Sequence, residues 1–256
     1  FFETAVTAAD ELAAALAAID VDYRGKDTGC VPLARIAKPA GDAFAGRASW
    51  PKVELGERQR VTRGIDRTPY GGKADLSAVL RGASDGERLY LDIEVTDDVR
   101  ATPYDAVHEK RLIWSNDALQ MGFDRADGTG LKELNFSAPP AGEVFFTLAN
   151  DPIREDLIRF KAHAEGSVTD YRVVIPWKAL WSDFTAGDEA RVKFCLAVVD
   201  NDGDRGNPRL RTYGDRQALQ LAPGLYLGGK QSAAYPKLAL EKMMDREGVR
   251  NAEGAK

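Results

Sequence analysis

The sequence predicts an all-β fold, a two-sheet antiparallel β-sandwich of jelly-roll type with short helical arms at both termini. Three observations carry this expectation. The stretch ERLYLDIEVTDD, residues 87–98, alternates Leu89, Leu91, Ile93 and Val95 with Tyr90, Asp92 and Glu94. A period of two turns one row inward and the other toward water. Further short runs of the same kind follow, separated by Gly- and Asp-rich turns. Helical periodicity is confined to the ends of the chain, which argues against a βαβ arrangement.

From the N-terminus, residues 7–19 read as a helix, with Thr7 as cap, Asp10 at the third helical position and Leu12, Leu16 and Ile19 as a narrow apolar stripe. Residues 20–49 carry glycines and prolines without periodicity and read as a connector, with an edge strand around Val31–Leu33 and Ile36. Strands are expected at 50–55, 59–62, 75–80, 87–98, 117–124, 143–149, 157–164, 169–175 and 191–200, and weaker ones at 209–213 and 217–221. Pro176-Trp177 closes one of these, and residues 177–184 make a short helical turn. From Tyr235 onward, Leu238, Leu240, Met243 and Met244 fall at near-helical spacing. The chain therefore divides into an arm and connector (1–49), a sandwich (50–228) and a helical tail (229–256).

At 256 residues, with 44% hydrophobic and 29% charged residues, the chain has the composition of a globular protein with a substantial core. A net charge of -5 argues against binding a nucleic-acid backbone. No run is long and apolar enough for a membrane helix. The sequence opens with neither Met nor a signal peptide, as expected of a processed chain or an excised domain. Its two cysteines, Cys30 and Cys195, match no metal spacing and stand either as a disulfide or as two thiols.

Chemistry-bearing residues gather in a few places. The turn Asp200-Asn201-Asp202-Gly203-Asp204 places oxygen side chains at alternate positions around a glycine. With Asp97 or Asp98 recruited, Asp200, Asp202 and Asp204 would hold calcium, which takes six to eight oxygens. The alternative is a solvated acidic turn. Asp97 and Asp98 adjoin on one strand and so face opposite ways, which argues against a paired acid and base. Sugar rings stack on exposed aromatics while Asp, Asn and Arg read their hydroxyls. Trp114 beside Asn116 and Asp117, Tyr104 and Arg111 in the long loop before them, and Tyr213 after the acidic turn form such a set. Trp177 and Trp181 read as core. His108 and His163 lack zinc-like spacing, and there is neither a Gly-x-Ser-x-Gly elbow nor a phosphate-binding glycine fingerprint.

The succession GGKADLSAVLRG, RLYLDIEVTDDV, IWSNDALQMGFD, DYRVVIPWKAL and VKFCLAVVDNDGD resembles the family 9 carbohydrate-binding modules and their wider group of sandwich domains, from about Trp50 to Leu227. The resemblance implies a sandwich in an exported, extracellular or periplasmic protein, often joined to a glycan-active partner domain, with calcium in the loops of some members. It carries over to Asp97, Asp98, Asn116, Asp117, Trp177 and the 200–204 turn. Sugar-binding members clasp a chain end between two tryptophans; here Trp114 is the candidate for one, and Tyr104 or Tyr213 would replace the other. The expected function is non-catalytic binding of a glycan chain end or oligosaccharide. Rival readings are a structural interaction module, a haem b sandwich using Met121 with His108 or Lys110, and a polysaccharide-cleaving enzyme using Tyr104 and His108.

Overall fold

The computed structural model describes residues 30–61, 70–100, 116–138, 144–148, 153–185, 192–201, 216–221 and 237–240. Twelve strands build two packed layers. The front layer runs β2 (Lys52–Leu55), β3 (Leu76–Ser84), β4 (Arg88–Asp97), β9 (Val168–Pro176), β8 (Arg159–Glu165). The back layer runs β7 (Val144–Leu148), β6 (Lys132–Ser137), β5 (Ala118–Arg125), β10 (Val192–Asn201), with β11 (Arg216–Gln220) and β12 (Lys237–Leu240) sharing the far edge of β10. Strand β1 (Cys30–Arg35) joins the two layers. Its first half pairs with β12 and its last residues, Ala34 and Arg35, pair with β3, both in parallel. Every other ladder is antiparallel.

The core follows strand parity. Leu89, Leu91, Ile93 and Val95 of β4 meet Tyr171, Val173 and Ile175 of β9 beside them, and Leu119, Met121, Phe123, Phe194, Leu196 and Val198 from the opposite layer. Phe123 and Phe194 pack with ring centroids 5.0 Å apart. The helical turn α1 (Trp177–Leu180) follows Pro176, whose extended backbone ends β9. It buries Trp177 and Trp181 at one end of the sandwich, where Trp181 Nε1 donates to the Gly130 carbonyl at 2.9 Å. At fully buried Leu33, β1 passes so close to Gly82 that a Cβ there would lie 2.4 Å from the Leu33 side chain. Glycine on β3 is what lets the joining strand approach.

Several expectations need correction. The polar row of β4 does not face water throughout: Tyr90 and Asp92 are buried, because residues 36–50 fold over the outer face of the front layer. Phe44 packs edge-on to Tyr90 at 6.2 Å, and Asp92 is held by Arg47 at 3.1 Å, Arg81 at 3.2 Å and Arg172 at 3.9 Å. The expected edge strand near Val31 is an interior strand, flanked by β12 and β3. Residues 237–240 form a strand where helical spacing was expected, since pairing with β1 overrides a weak local preference. Of the strand expected at 59–62, Gln59 ends a 3₁₀ turn while Arg60 bridges Leu219 and Val61 N donates to the Ala218 carbonyl, and Lys132–Ser137 forms a strand that the sequence reading passes over.

Cys30 and Cys195 sit on strands separated by β12, since Lys237 faces both Cys30 and Lys193. Two strand spacings, roughly 10 Å, exceed the reach of a disulfide. The N-terminal helix expected at 7–19 lies outside the described residues. Among the described residues no helix is long and apolar enough to cross a membrane.

Leu33→Ala should cost about 2–5 kcal/mol, because it opens a cavity where the two layers are joined. The exposed Lys178→Ala should change stability by about 0.5 kcal/mol or less. Urea unfolding midpoints of the two variants check this; similar values would show that β1 is only loosely attached.

Candidate functional site

The inward row of β4 ends in a carboxylate. Asp97 follows Val95 on the core face, and Asp98, one residue on, is exposed. Asp117, just before β5, shares the inward parity of Leu119 and Met121, and Asp200 on β10 shares that of Leu196 and Val198. The ladder pairing Val199 with Ala118 brings the ends of β5 and β10 together, and β4 approaches from the other layer. The result is a cluster of three buried carboxylates, Asp97, Asp117 and Asp200, whose oxygens lie within 4.8 Å of one another.

Backbone amides fix two of them. Asp97 Oδ1 accepts from Val99 N at 2.8 Å, and Asp117 Oδ1 from Asn201 N at 2.9 Å. Ser137 Oγ donates to the Asp117 carbonyl at 2.7 Å. Burial pushes the Asp97 carboxyl above its ordinary range, and the neighbouring negative charge of Asp98 adds to this. The Val99 amide, a hydrogen bond with Asp117 and the Arg100 guanidinium oppose the shift. Burial likewise holds the Tyr171 phenol protonated far above its usual range, with the charges of Asp117 and Asp97 adding to the effect. A cavity of about 10 Å³, lined by Asp97, Asp117, Arg100, Thr169 and Tyr171 among others, adjoins the cluster. That is room for one water-sized occupant.

This donor set fits a hard cation. It is all oxygen and contains neither His nor Cys. Three carboxylates alone fall short of the six to eight oxygens that calcium takes.

Of the residues singled out in the sequence, the structure brings together Asp97, Asp117 and Asp200 and leaves Asp98 outside the cluster. Asn116 is fully buried beside them. Tyr104, Arg111, Trp114, Asp202, Asp204 and Tyr213 lie outside the described residues. The segments that carry them are nonetheless tethered here, since 101–115 leads into Asn116 and 202–215 joins Asn201 to Arg216.

Sequence reasoning missed a second polar array. On the outer face of the back layer, Gln120, Asn135 and Gln220 lie in one cross-strand row through Ala197, with Glu133 beside Asn135. All four are buried, and Asn135 Nδ2 donates to Glu133 Oε1 at 3.1 Å. Small residues (Gly122, Cys195, Ala197 and Ala218) form the surrounding floor. The signal was present in the alternation of Glu133, Leu134, Asn135 and Phe136, within the overlooked β6.

No family model matches the sequence, and no curated protein matches it. Solved structures do. A family 9 carbohydrate-binding module from Caldicellulosiruptor kristjanssonii, in complex with cellotriose, superposes with a TM-score of 0.58 over 84% of this chain and 95% of its own, at 11% identity. The fold is that of a family 9 carbohydrate-binding module. A second structure from that organism, in complex with glucose, gives a TM-score of 0.56 over 84% of this chain and 97% of the other, also at 11% identity. A Bacteroides uniformis protein provisionally described as carbohydrate-binding gives 0.53 over 83% of this chain and 99% of its own, at 13% identity. The family 9 fold thus accounts for most of the chain.

Because buried like charges repel, Asp200→Asn should raise the melting temperature in EDTA by roughly 2–4 °C, about 1 kcal/mol at this size. Differential scanning calorimetry under chelation reads this directly. A lower melting temperature would mean that the carboxylates are not in mutual repulsion.

Proposed function

We propose that this protein binds a carbohydrate without cleaving it, through a site at the end of the sandwich where segments 101–115 and 202–215 leave the sheets. The observation that carries the reading is the scaffold, whose structural neighbours include modules in complex with cellotriose and glucose. The segments bearing Tyr104, Arg111, Trp114 and Tyr213 join the described chain at Asn116 and Asn201, next to Asp117 and Asp200 of the acidic cluster. Trp114 and a tyrosine would stack on the sugar ring, while Arg111 would read hydroxyls. Asn116 and Asp117, both buried at the root of the first segment, would position it rather than touch sugar.

Calcium is the cation proposed for Asp97, Asp117 and Asp200, with Asp202 and Asp204 as further ligands. When bound it would supply charge neutralisation and no chemistry. Its effect would be to tie both loop roots to the sheets. Such a module suits an extracellular or periplasmic protein and a neighbouring glycan-active domain, which would supply the catalysis this site does not attempt.

Calorimetry with cellotriose and other neutral oligosaccharides in calcium should give saturable binding. Trp114→Ala should lower the affinity at least tenfold while leaving the melting temperature within a few degrees. Absence of heat across a broad neutral panel, with the protein folded and calcium present, would sink the proposal. Calcium at a hundredfold excess over its Kd should add about 2.7 kcal/mol, or roughly 5–10 °C. The same addition to Asp97→Asn should give little of that gain.

A further inference from the structure

The outer face of the front layer carries a groove, away from the acidic cluster and from the polar array on the back layer. It lies between the 39–43 segment and strands β4, β9 and β8, with a volume of about 410 Å³. That is the size of an ordinary small-ligand site. Register builds its floor: Tyr90, Val174 and Arg159 form one cross-strand row, and Arg88 and Pro176 the next. Pro39, Gly41 and Ala43 make one wall and Leu157 part of the other.

The lining contains two guanidiniums and no carboxylate. Arg159 Nη1 donates to two backbone carbonyls, those of Asp156 at 2.7 Å and Ile158 at 3.2 Å, and its charge also acts on the Asp156 carboxylate. Arg88 forms a long ion pair with Asp85 at 3.8 Å and hydrogen-bonds the Tyr90 side chain, whose hydroxyl donates to Asp85 Oδ2 at 2.6 Å. The nearby acids are shared with other cations: Glu87 pairs with Lys38 at 2.9 Å as well as acting on Arg88, and Asp156 pairs with Arg154 at 2.7 Å as well as feeling Arg159. Asp92, in the neighbouring row, is enclosed by Arg47, Arg81 and Arg172. The groove is thus a basic slot with apolar walls in a chain of net charge -5.

We infer that this groove binds a carboxylate-bearing saccharide, one or two uronic acid residues long, at a site separate from the neutral-sugar site proposed above. The Cα atoms of Arg88 and Arg159 are roughly 12 Å apart by strand spacing and rise, a separation that two guanidiniums of normal length can span to meet one carboxylate between them. A planar carboxylate suits the guanidinium fork, and the Pro39, Pro176, Ala43 and Val174 surfaces suit the apolar face of a sugar ring.

The test uses the full chain in calcium and low salt, titrated with tri-galacturonate, with cellotriose and with sodium sulfate. Tri-galacturonate should bind and weaken at least tenfold between 20 and roughly 200 mM salt. Arg159→Gln should lower its affinity tenfold or more. Arg159→Lys, which keeps the charge but loses the fork, should fall between the two. Trp114→Ala should leave tri-galacturonate binding unchanged, which separates this site from the other. Arg159 is exposed on an edge strand, so its variants should melt with the wild type. The proposal is overturned if tri-galacturonate does not bind, if Arg159→Gln binds it equally well, or if sulfate competes at its own millimolar affinity with no preference for the saccharide.

Discussion

Side-chain parity along β4 is the constraint on which the rest of the molecule depends. One strand of ten residues presents Leu89, Leu91, Ile93, Val95 and then Asp97 to the interior, and Arg88, Tyr90, Asp92 and Glu94 to the other side. A shift of one residue would exchange the two sets. The hydrophobic row sets the register, and the register then dictates that a carboxylate terminates the core and that Arg88 enters the outer groove. Core and candidate sites are therefore specified by the same pattern, read on opposite faces.

Buried acids are put to two different uses in this framework. Asp92 has three guanidiniums around it and fastens residues 36–50 to the sheet through Arg47. Asp97, Asp117 and Asp200 are instead brought together from both layers at the ends of β4, β5 and β10, where backbone amides hold Asp97 and Asp117 and burial raises the Asp97 carboxyl.

Much of this architecture was legible in the sequence, because alternation and turn composition are local signals. They located β3, β4, β5, β9 and β10, placed Trp177 in the core, and showed that Asp97 and Asp98 must diverge. What escaped had a non-local cause. Residues 237–240 read as helical from their own spacing and become a strand only because β1 lies beside them. Tyr90 and Asp92 look solvent-facing until residues 36–50 fold over them. The cluster itself was half legible. Asp97 and Asp200 were grouped as cation ligands, but the neighbours assigned with them came from adjacency in the chain, while Asp117 joins them through the β5–β10 ladder. The row through Gln120 and Asn135 was hidden for a plainer reason: β6 is only six residues long and interrupted by polar side chains.

The joining strand β1 has a consequence for how the protein comes into being. Cys30 pairs with Lys237, 207 positions later, and the same short strand reaches β3 at its other end. Until that last partner emerges from the ribosome, β1 and β10 both present open backbone to their surroundings, and the two halves cannot be zipped at this seam. A nascent chain halted before residue 237 would therefore expose a pair of adhesive margins rather than a smaller stable body. Addition of residues 237–240, and not merely collapse of the core, is what closes this seam.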